Sequence, residues 1–171
     1  MSNAGSAANE NKIDAMATAK QQIIELRMRY AQATDAIASG KEAGINAGRE
    51  TYQQIYTSDA SISADGIKAV TGPEAWVKVV SDALESFVAT QHHIGSPLVH
   101  SITLPDAAGK GGEAQLSSYL QAWHSSADNT LYMYFGTYHD TCVYSLEHGW
   151  QIAKMHLEKT ADEQRTITPR E

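Results

Sequence analysis

The sequence of 171 residues contains one cysteine, four prolines and two phenylalanines. A single thiol, Cys142, cannot form an internal disulfide or build a thiolate metal site alone, and we expect it to be a buried structural residue. No stretch approaches the roughly 18 apolar residues of a membrane-spanning helix. The first ten residues lack the basic start and the apolar segment of a secretory signal peptide. We therefore expect a cytoplasmic protein with no membrane partner.

Positive charge is also scarce, since 13 Lys and Arg face 20 Asp and Glu, for a net charge of −7. An acidic chain without a basic stripe repels phosphate backbones, so we expect no nucleic-acid partner. The length suits one domain, which buries roughly 70% of its unfolded surface without a metal or disulfide. We expect a disordered N-terminal segment over residues 1–11, the folded domain over residues 12–159, and a polar, mobile or partner-contacting tail over residues 160–171.

Helical patterns fill the first half of the sequence. Residues 12–39 contain no Pro or Gly and are rich in helix-forming residues, and Gly40 ends this helix. A second helix is predicted over residues 41–56. A third begins at Pro73, which suits a first helical turn. The 3.6-residue period predicts an apolar stripe on the first helix at Ile24, Met28, Ala31 and Asp35.

Strand patterns with a period of two fill the second half. A hairpin is predicted over residues 61–70, after turn-forming residues at 57–60. Turns are predicted at residues 107–112 and 147–149. The four strands between and around these turns are predicted over residues 90–104, 113–124, 130–144 and 150–158. Helices followed by long strands predict an α+β fold, in which N-terminal helices pack across a cone-shaped, curved antiparallel sheet and enclose an apolar cavity.

Asp35 and two adjacent histidines stand out chemically. An ionised carboxylate on an apolar stripe costs several kcal/mol unless it is compensated, so Asp35 either reaches water near the helix end or orients a histidine in the cavity. His92 shares its strand face with apolar residues and is predicted to point inward, either as a core residue or as a base; His93 points outward. A bulge at Gly95 or Pro97 would instead present His93.

The remaining candidates for chemistry are less specific. His124 and His139 share strand faces with apolar residues, and either could be a second base near a strand end. Zinc usually takes three or four converging ligands, and the sequence contains no H-E-x-x-H or C-x-x-C motif. It also contains no nucleophile elbow and no dinucleotide fingerprint. We therefore expect neither a metal nor another cofactor, although Asp35, His92 and His124 could in principle converge on one ion.

Five short motifs occur in a characteristic order along the chain. They are R-Y-A-x-A-x-D ending at Asp35, I-Y-x-x-D-A at residues 55–60, T-G-P-E-A at residues 71–75, T-Q-H-H-I-G at residues 90–95, and H-G-W at residues 148–150. In this order they resemble the SnoaL-like branch of the nuclear transport factor 2-like superfamily, over about residues 23–157. Within that branch the sequence is most similar to scytalone dehydratases and hexachlorocyclohexane dehydrochlorinases.

This resemblance implies a cone-shaped α+β fold and cofactor-free elimination or isomerisation by an Asp–His dyad. The family aspartate falls on Asp35 and the family histidine on His92. Scytalone dehydratases also use a histidine from the middle of the following strand, whereas here that strand has no histidine before His124. The superfamily also contains ketosteroid isomerases, polyketide cyclases and non-catalytic binding modules.

The sequence and its resemblance therefore predict a cofactor-independent lyase, which is a dehydratase or catalyses a related elimination. Its expected substrate is a small hydrophobic molecule, with aromatic and polycyclic compounds as the candidates. His92 is the general base, Asp35 orients it, and His124 or a tyrosine donates a proton. The alternatives are an isomerase or polyketide cyclase with the same base, and a binding or assembly module without chemistry. A homodimer or homotrimer is expected through the open sheet face. Residues expected to contact the substrate are Tyr30, His93, Tyr56, Trp76, Leu120 and Tyr134.

Overall fold

The computed structural model describes residues 3–166, which form three helices and one curved, unclosed sheet of six strands. The α+β prediction is confirmed. The helices are α1 (Asn3–Ala38), α2 (Glu42–Ile55) and α3 (Pro73–Leu84). The strands are β1 (Tyr56–Ala64), β2 (Ile67–Thr71), β3 (Ala89–Thr103), β4 (Glu113–Ser125), β5 (Thr130–Ser145) and β6 (Gly149–Thr166).

The sheet has the order β2-β1-β6-β5-β4-β3, and its neighbours are antiparallel except for β1 and β6, which run parallel. The prediction of a wholly antiparallel sheet is therefore wrong at this pair. The strands β3 to β6 follow one another as a meander. β1, which comes directly after α2, pairs with the outer edge of β6 and runs parallel to it. Residues 57–60, predicted as a turn, belong to β1, where the register with β6 shifts between Tyr56 and Ser61.

Both ends of the folded region extend beyond the predicted boundaries. α1 begins at Asn3, so residues 3–11 are helical where disorder was expected. This segment is rich in Ala and contains no proline, and a helix nucleated further along the chain propagates through such residues at little cost. β6 continues to Thr166, which pairs with Thr130 of β5, so residues 160–166 of the expected tail are strand. Residues 1–2 and 167–171 lie outside the described range.

The buried face of α1 differs from the predicted stripe. Met28 is 38% exposed, whereas Arg27 is completely buried although it carries a charge. Thr34 is also buried, and its hydroxyl hydrogen-bonds to the Tyr52 hydroxyl and to a backbone carbonyl. Hydropathy does not identify these positions, because it does not register the polar partners that Arg27 and Thr34 have elsewhere in the chain. The buried side chains of α1, among those that the structure describes, are Ala19, Ile23, Leu26, Arg27, Tyr30, Ala31, Ala33, Thr34 and Ile37, and Ala31 is the one member of the predicted stripe among them.

Several local predictions agree with the structure. The hairpin of β1 and β2 turns at Asp65-Gly66, where Ala64 pairs with Ile67. Cys142 is fully buried, and burial raises the pKa of its thiol, as expected for a structural residue. Within residues 3–166, no helix is long and apolar enough to cross a membrane.

Candidate active site

A pocket of about 240 Å³ opens between the inner face of the sheet and helices α1 and α3. Its wall is mainly apolar and aromatic, as is usual for small-molecule sites. It is formed by residues from both helices and from all six strands of the sheet. Six of the residues predicted for the site lie in this wall, namely Tyr30, Trp76, His92, Leu120, His124 and Tyr134.

Asp35 holds His92 from behind the pocket wall. The carboxylate Oδ1 of Asp35 lies 2.7 Å from His92 Nδ1, and Oδ2 accepts a hydrogen bond of 3.2 Å from the His92 backbone N–H. The His92 side chain is 8% exposed and that of Asp35 is 27% exposed. Two hydrogen bonds to one carboxylate fix both the position and the rotation of the imidazole. Asp35 therefore contacts His92 while part of its own side chain remains open to solvent.

The position of a bulge in β3 determines whether His92 or His93 faces the pocket. Ser96 has a φ of +47°, and the register between β3 and β4 shifts between Gly95 and Leu98. The bulge lies after both histidines, so His92 keeps its inward direction. Between this bulge and a second register shift at Val99 to Ser101 the strand faces are exchanged, which leaves Leu98 56% exposed against the simple alternation.

His124 lies beside His92 in the same wall, with ring centroids 5.5 Å apart at 67°. It is buried, its ring stacks on Phe87, and its Nδ1 lies 2.6 Å from the Thr90 hydroxyl. Burial, followed by the electrostatic effect of His92, lowers the pKa of His124 to about 4, while Asp35 acts in the opposite direction. His124 is therefore uncharged at neutral pH.

Two predicted substrate contacts do not lie in the pocket. His93 is on the outer face of the sheet, where it lines a separate groove with Tyr119. The alternation of β3 placed it there, and the bulge comes too late to turn it inward. Tyr56 is fully buried and packs edge-on against Tyr30 and Tyr52, which separate it from the pocket.

The other histidines contribute nothing to the pocket wall. His139, expected as a possible second base, is on the outer face with its Nε2 3.1 Å from Glu158 and its side chain 51% exposed. His148 is in the exposed turn before β6. Among the residues that the structure describes, no group of three or more His, Cys, Asp or Glu side chains could hold a metal ion.

Sequence reasoning missed a buried ion pair directly behind the pocket. Arg27 Nε donates a 3.0 Å hydrogen bond to Asp140 Oδ2, and Arg27 Nη2 contacts Asp140 Oδ1. Both side chains are fully buried. Burial raises the pKa of Asp140, an effect that the Arg27 charge opposes. The alternation of side chains along β5 places Asp140 on the inner face together with Tyr138. This alternation was the only feature of the sequence that could have indicated a buried Asp140.

The fold is shared with known proteins. The family model described as the SnoaL-like domain matches residues 15–156. No curated protein matches the sequence. Among solved structures, a protein from Kribbella flavida is 21% identical with a TM-score of 0.67, covering 86% of this chain and 95% of its own.

Three further solved structures are similar in fold. A proposed scytalone dehydratase from Novosphingobium aromaticivorans is 17% identical with a TM-score of 0.68, covering 91% of this chain and 93% of its own. A hexachlorocyclohexane dehydrochlorinase from Novosphingobium barchaimii is 13% identical with a TM-score of 0.69, covering 93% and 99%. A nuclear transport factor 2-like superfamily protein from Salmonella enterica is 16% identical with a TM-score of 0.66, covering 85% and 94%. At these identities the likeness shows the fold alone.

Proposed function

The chain belongs to the SnoaL-like domain family, and we propose that it is a cofactor-independent lyase in which His92 removes a proton from a small hydrophobic substrate. The observation that carries the proposal is the 2.7 Å contact between Asp35 Oδ1 and His92 Nδ1 at the wall of a mainly apolar pocket. The similarity in fold to a proposed dehydratase and to a dehydrochlorinase supports the same reaction class.

The hydrogen bonds of Asp35 determine which nitrogen of His92 is basic. An ionised carboxylate only accepts hydrogen bonds, so the proton of the neutral imidazole resides on Nδ1. The lone pair then lies on Nε2, the nitrogen that Asp35 does not contact. Asp35 also stabilises the imidazolium that forms when Nε2 takes a proton. Imidazole needs little tuning to act as a base near neutral pH.

The elimination proceeds within the pocket. His92 Nε2 reversibly takes the proton from a carbon next to an activating group, which holds the released electron pair as a carbanion. That electron pair then forms the new C=C bond as the C–O bond of a hydroxyl on the neighbouring carbon breaks. The imidazolium then returns the proton to the departing oxygen, and water leaves. His124 is neutral, so it acts as a hydrogen-bond donor to that oxygen rather than as a proton donor. If the Thr90 hydroxyl donates to His124 Nδ1, the His124 proton lies on Nε2 and is available for this bond.

Solvent deuterium exchange tests the base even while the physiological substrate is unidentified. The protein is incubated in D₂O with a panel of hydroxylated aromatic and polyketide-like ketones, and exchange and loss of water are followed by NMR and mass spectrometry. For the ketone that reacts, we expect His92→Gln to lower the rate by about 10²- to 10⁴-fold. Asp35→Asn should lower it as well, with folding intact. His139→Gln, on the outer face, is the matched control, and an unchanged rate in either pocket variant refutes the dyad.

The same assay separates the alternatives. An isomerase returns deuterium to a different carbon without loss of water. A binding module shows no exchange with any compound, because its Asp35–His92 pair only satisfies two polar groups. In that case, replacing both residues by apolar ones should be neutral or stabilising, since the desolvation cost disappears.

We also propose that the outer face of the sheet pairs copies of the chain as a homodimer or homotrimer. Tyr119 is 63% exposed there and Leu98 56%. An apolar patch of this kind on an open sheet commonly marks an interface. Tyr119→Lys should dissociate the oligomer in light scattering coupled to size exclusion, whereas Lys68→Glu, on the edge strand β2, should not. A monomeric wild-type protein refutes this proposal.

A further inference from the structure

A serine and a histidine lie side by side on the outer face of the sheet. Ser63 of β1 is paired in register with His156 of β6. Ser63 stands between the buried residues Ile62 and Ala64, and Ala64 lines the pocket. Because successive side chains of a strand point to opposite faces, Ser63 and its partner His156 point away from the pocket.

His156 connects Ser63 to a carboxylate. Its Nδ1 lies 2.9 Å from Ser63 Oγ, and its Nε2 lies 3.4 Å from Asp65 Oδ1. The Ser63 hydroxyl also lies 3.4 Å from the Met155 carbonyl oxygen, which is a longer and weaker alternative for its single proton. The shorter contact favours a hydrogen bond from Ser63 to His156.

Asp65 is held in place by the backbone of β6. Its backbone N–H donates a 2.9 Å hydrogen bond to the Leu157 carbonyl, and its Oδ2 accepts a 2.9 Å hydrogen bond from the Lys159 N–H. The other carboxylate oxygen, Oδ1, is the one that faces His156. The carboxylate therefore has a fixed position next to the imidazole, although it lies in the turn between β1 and β2.

The partners of His156 determine where its proton lies. An ionised carboxylate only accepts hydrogen bonds, so the proton of the neutral imidazole faces Asp65 on Nε2. The lone pair then lies on Nδ1, where it accepts the Ser63 proton. A serine that donates to an imidazole, with a carboxylate on the far side of the ring, has the arrangement of an activated nucleophile. The two ring nitrogens are exchanged relative to the serine protease triad, but the roles are the same.

We propose that Ser63, His156 and Asp65 form a second reactive site, in which Ser63 takes an acyl group from an aryl ester or a thioester. Ser63 Oγ attacks the carbonyl carbon as His156 Nδ1 takes the hydroxyl proton. The tetrahedral intermediate then breaks its bond to the phenol or thiol, which departs with the imidazolium proton and leaves an acyl-serine. Water hydrolyses this ester as His156 takes a water proton and returns it to Ser63 Oγ. Asp65 is a positioning residue that fixes the ring and its tautomer.

The exposure of the site determines the class of acyl donor. The His156 side chain is 40% exposed and that of Asp65 is 46% exposed. Water weakens the electrostatic stabilisation of a tetrahedral oxyanion in an open site. The donor therefore needs a leaving group of low basicity, which aryl esters and thioesters have and amides lack.

Reaction with 4-nitrophenyl acetate tests the site. Absorbance follows the release of 4-nitrophenol, and peptide mapping of acid-quenched samples by mass spectrometry locates the acetyl group. We expect acetylation at Ser63 and a release that is slower in Ser63→Ala. His156→Gln should lower the rate of acetylation at Ser63 by about 10²- to 10⁴-fold. An unchanged rate in His156→Gln overturns the proposal.

The pH dependence of the rate reports the base. The rate should fall as the pH is lowered, because a protonated His156 cannot take the Ser63 proton. His139 faces it directly from β5, Asp65 faces it from the turn after β1, and Lys154 and Glu158 are its neighbours on the same face of β6. The dependence should be lost in His156→Gln and kept in His139→Gln. A dependence that follows His139 instead overturns the role of His156.

Ser117 provides a matched control on the same face of the sheet. Its Oγ lies 2.6 Å from His100 Nε2, and among residues 3–166 no carboxylate is paired with His100. Ser117 should therefore be acetylated far more slowly than Ser63, and Ser117→Ala should release 4-nitrophenol at the wild-type rate. Equal acetylation of the two serines overturns the proposal, because exposure alone would then explain the reaction.

Two variants of Asp65 test its positioning role. The amide of Asp65→Asn can donate to His156 Nε2, which moves the imidazole proton to Nδ1 and removes the acceptor of the Ser63 proton. We expect acetylation to slow by about 10- to 10³-fold in Asp65→Asn and to recover in part in Asp65→Glu, which keeps a carboxylate. Equal rates in these two variants overturn the role of Asp65. A wild type that is not acetylated at Ser63 and releases 4-nitrophenol no faster than Ser63→Ala overturns the whole site, whatever the deuterium exchange in the pocket shows.

Discussion

His124 makes the stability of this protein depend on pH in a way that one substitution can isolate. Its pKa falls from 6.5 to about 4 in the folded protein, chiefly through burial. In the unfolded chain His124 takes up a proton as the pH falls below 6.5, whereas in the folded protein it stays neutral until about pH 4. Acid therefore favours the unfolded state between these two values.

The size of the effect follows from the distance between the two pKa values, 6.5 and about 4. At about 1.4 kcal/mol for each pH unit, the contribution of His124 to the free energy of unfolding is about 3 kcal/mol at most. This stability is fully present above pH 6.5 and is lost as the pH falls through the folded value.

Urea denaturation of wild type and His124→Phe at pH 7, 6, 5 and 4 measures this contribution. Phenylalanine keeps an aromatic ring against Phe87 and has no titrating group. The difference in unfolding free energy between the two proteins should change by about 3 kcal/mol in favour of the variant from pH 7 to pH 4. Carboxylates titrate in both proteins and cancel in the difference. A difference that is constant with pH refutes the buried, neutral state of His124.

Two further predictions concern packing. Arg27→Met alone should destabilise the protein by about 3 to 5 kcal/mol in urea denaturation, because it leaves Asp140 buried and unpaired, whereas the double variant with Asp140→Leu should be close to wild type. Equal losses in the single and double variants would contradict this reasoning. Gly48→Ala should destabilise by about 1 to 3 kcal/mol despite its better helix propensity, because the added Cβ would lie 2.4 Å from Ile37 Cγ1 and 2.7 Å from the Ala33 carbonyl oxygen. An unchanged thermal midpoint for Gly48→Ala would refute the close approach of α1 and α2.

The parts of the site that could be predicted depend on local periodicity. His92 faces inward because the strand alternation is undisturbed on its side of Ser96. Asp35 is identifiable because a carboxylate at the helical spacing of apolar residues is conspicuous, even though the stripe assigned to that helix included the exposed Met28. Tyr56 was expected to contact the substrate only because it belongs to the I-Y-x-x-D-A motif. A motif does not show which aromatic residues lie between a side chain and the pocket.

Local sequence was sufficient for the order and type of the elements, since hydrophobic period, proline and glycine act over a few residues. Tertiary packing was required for the parallel pairing of β1 with β6 and for the ion pair of Arg27 with Asp140. These depend on residues far apart in the chain, 113 positions in the case of the ion pair. Burial of an arginine is energetically unfavourable unless a distant carboxylate pairs with it, so no local sequence pattern predicts this ion pair.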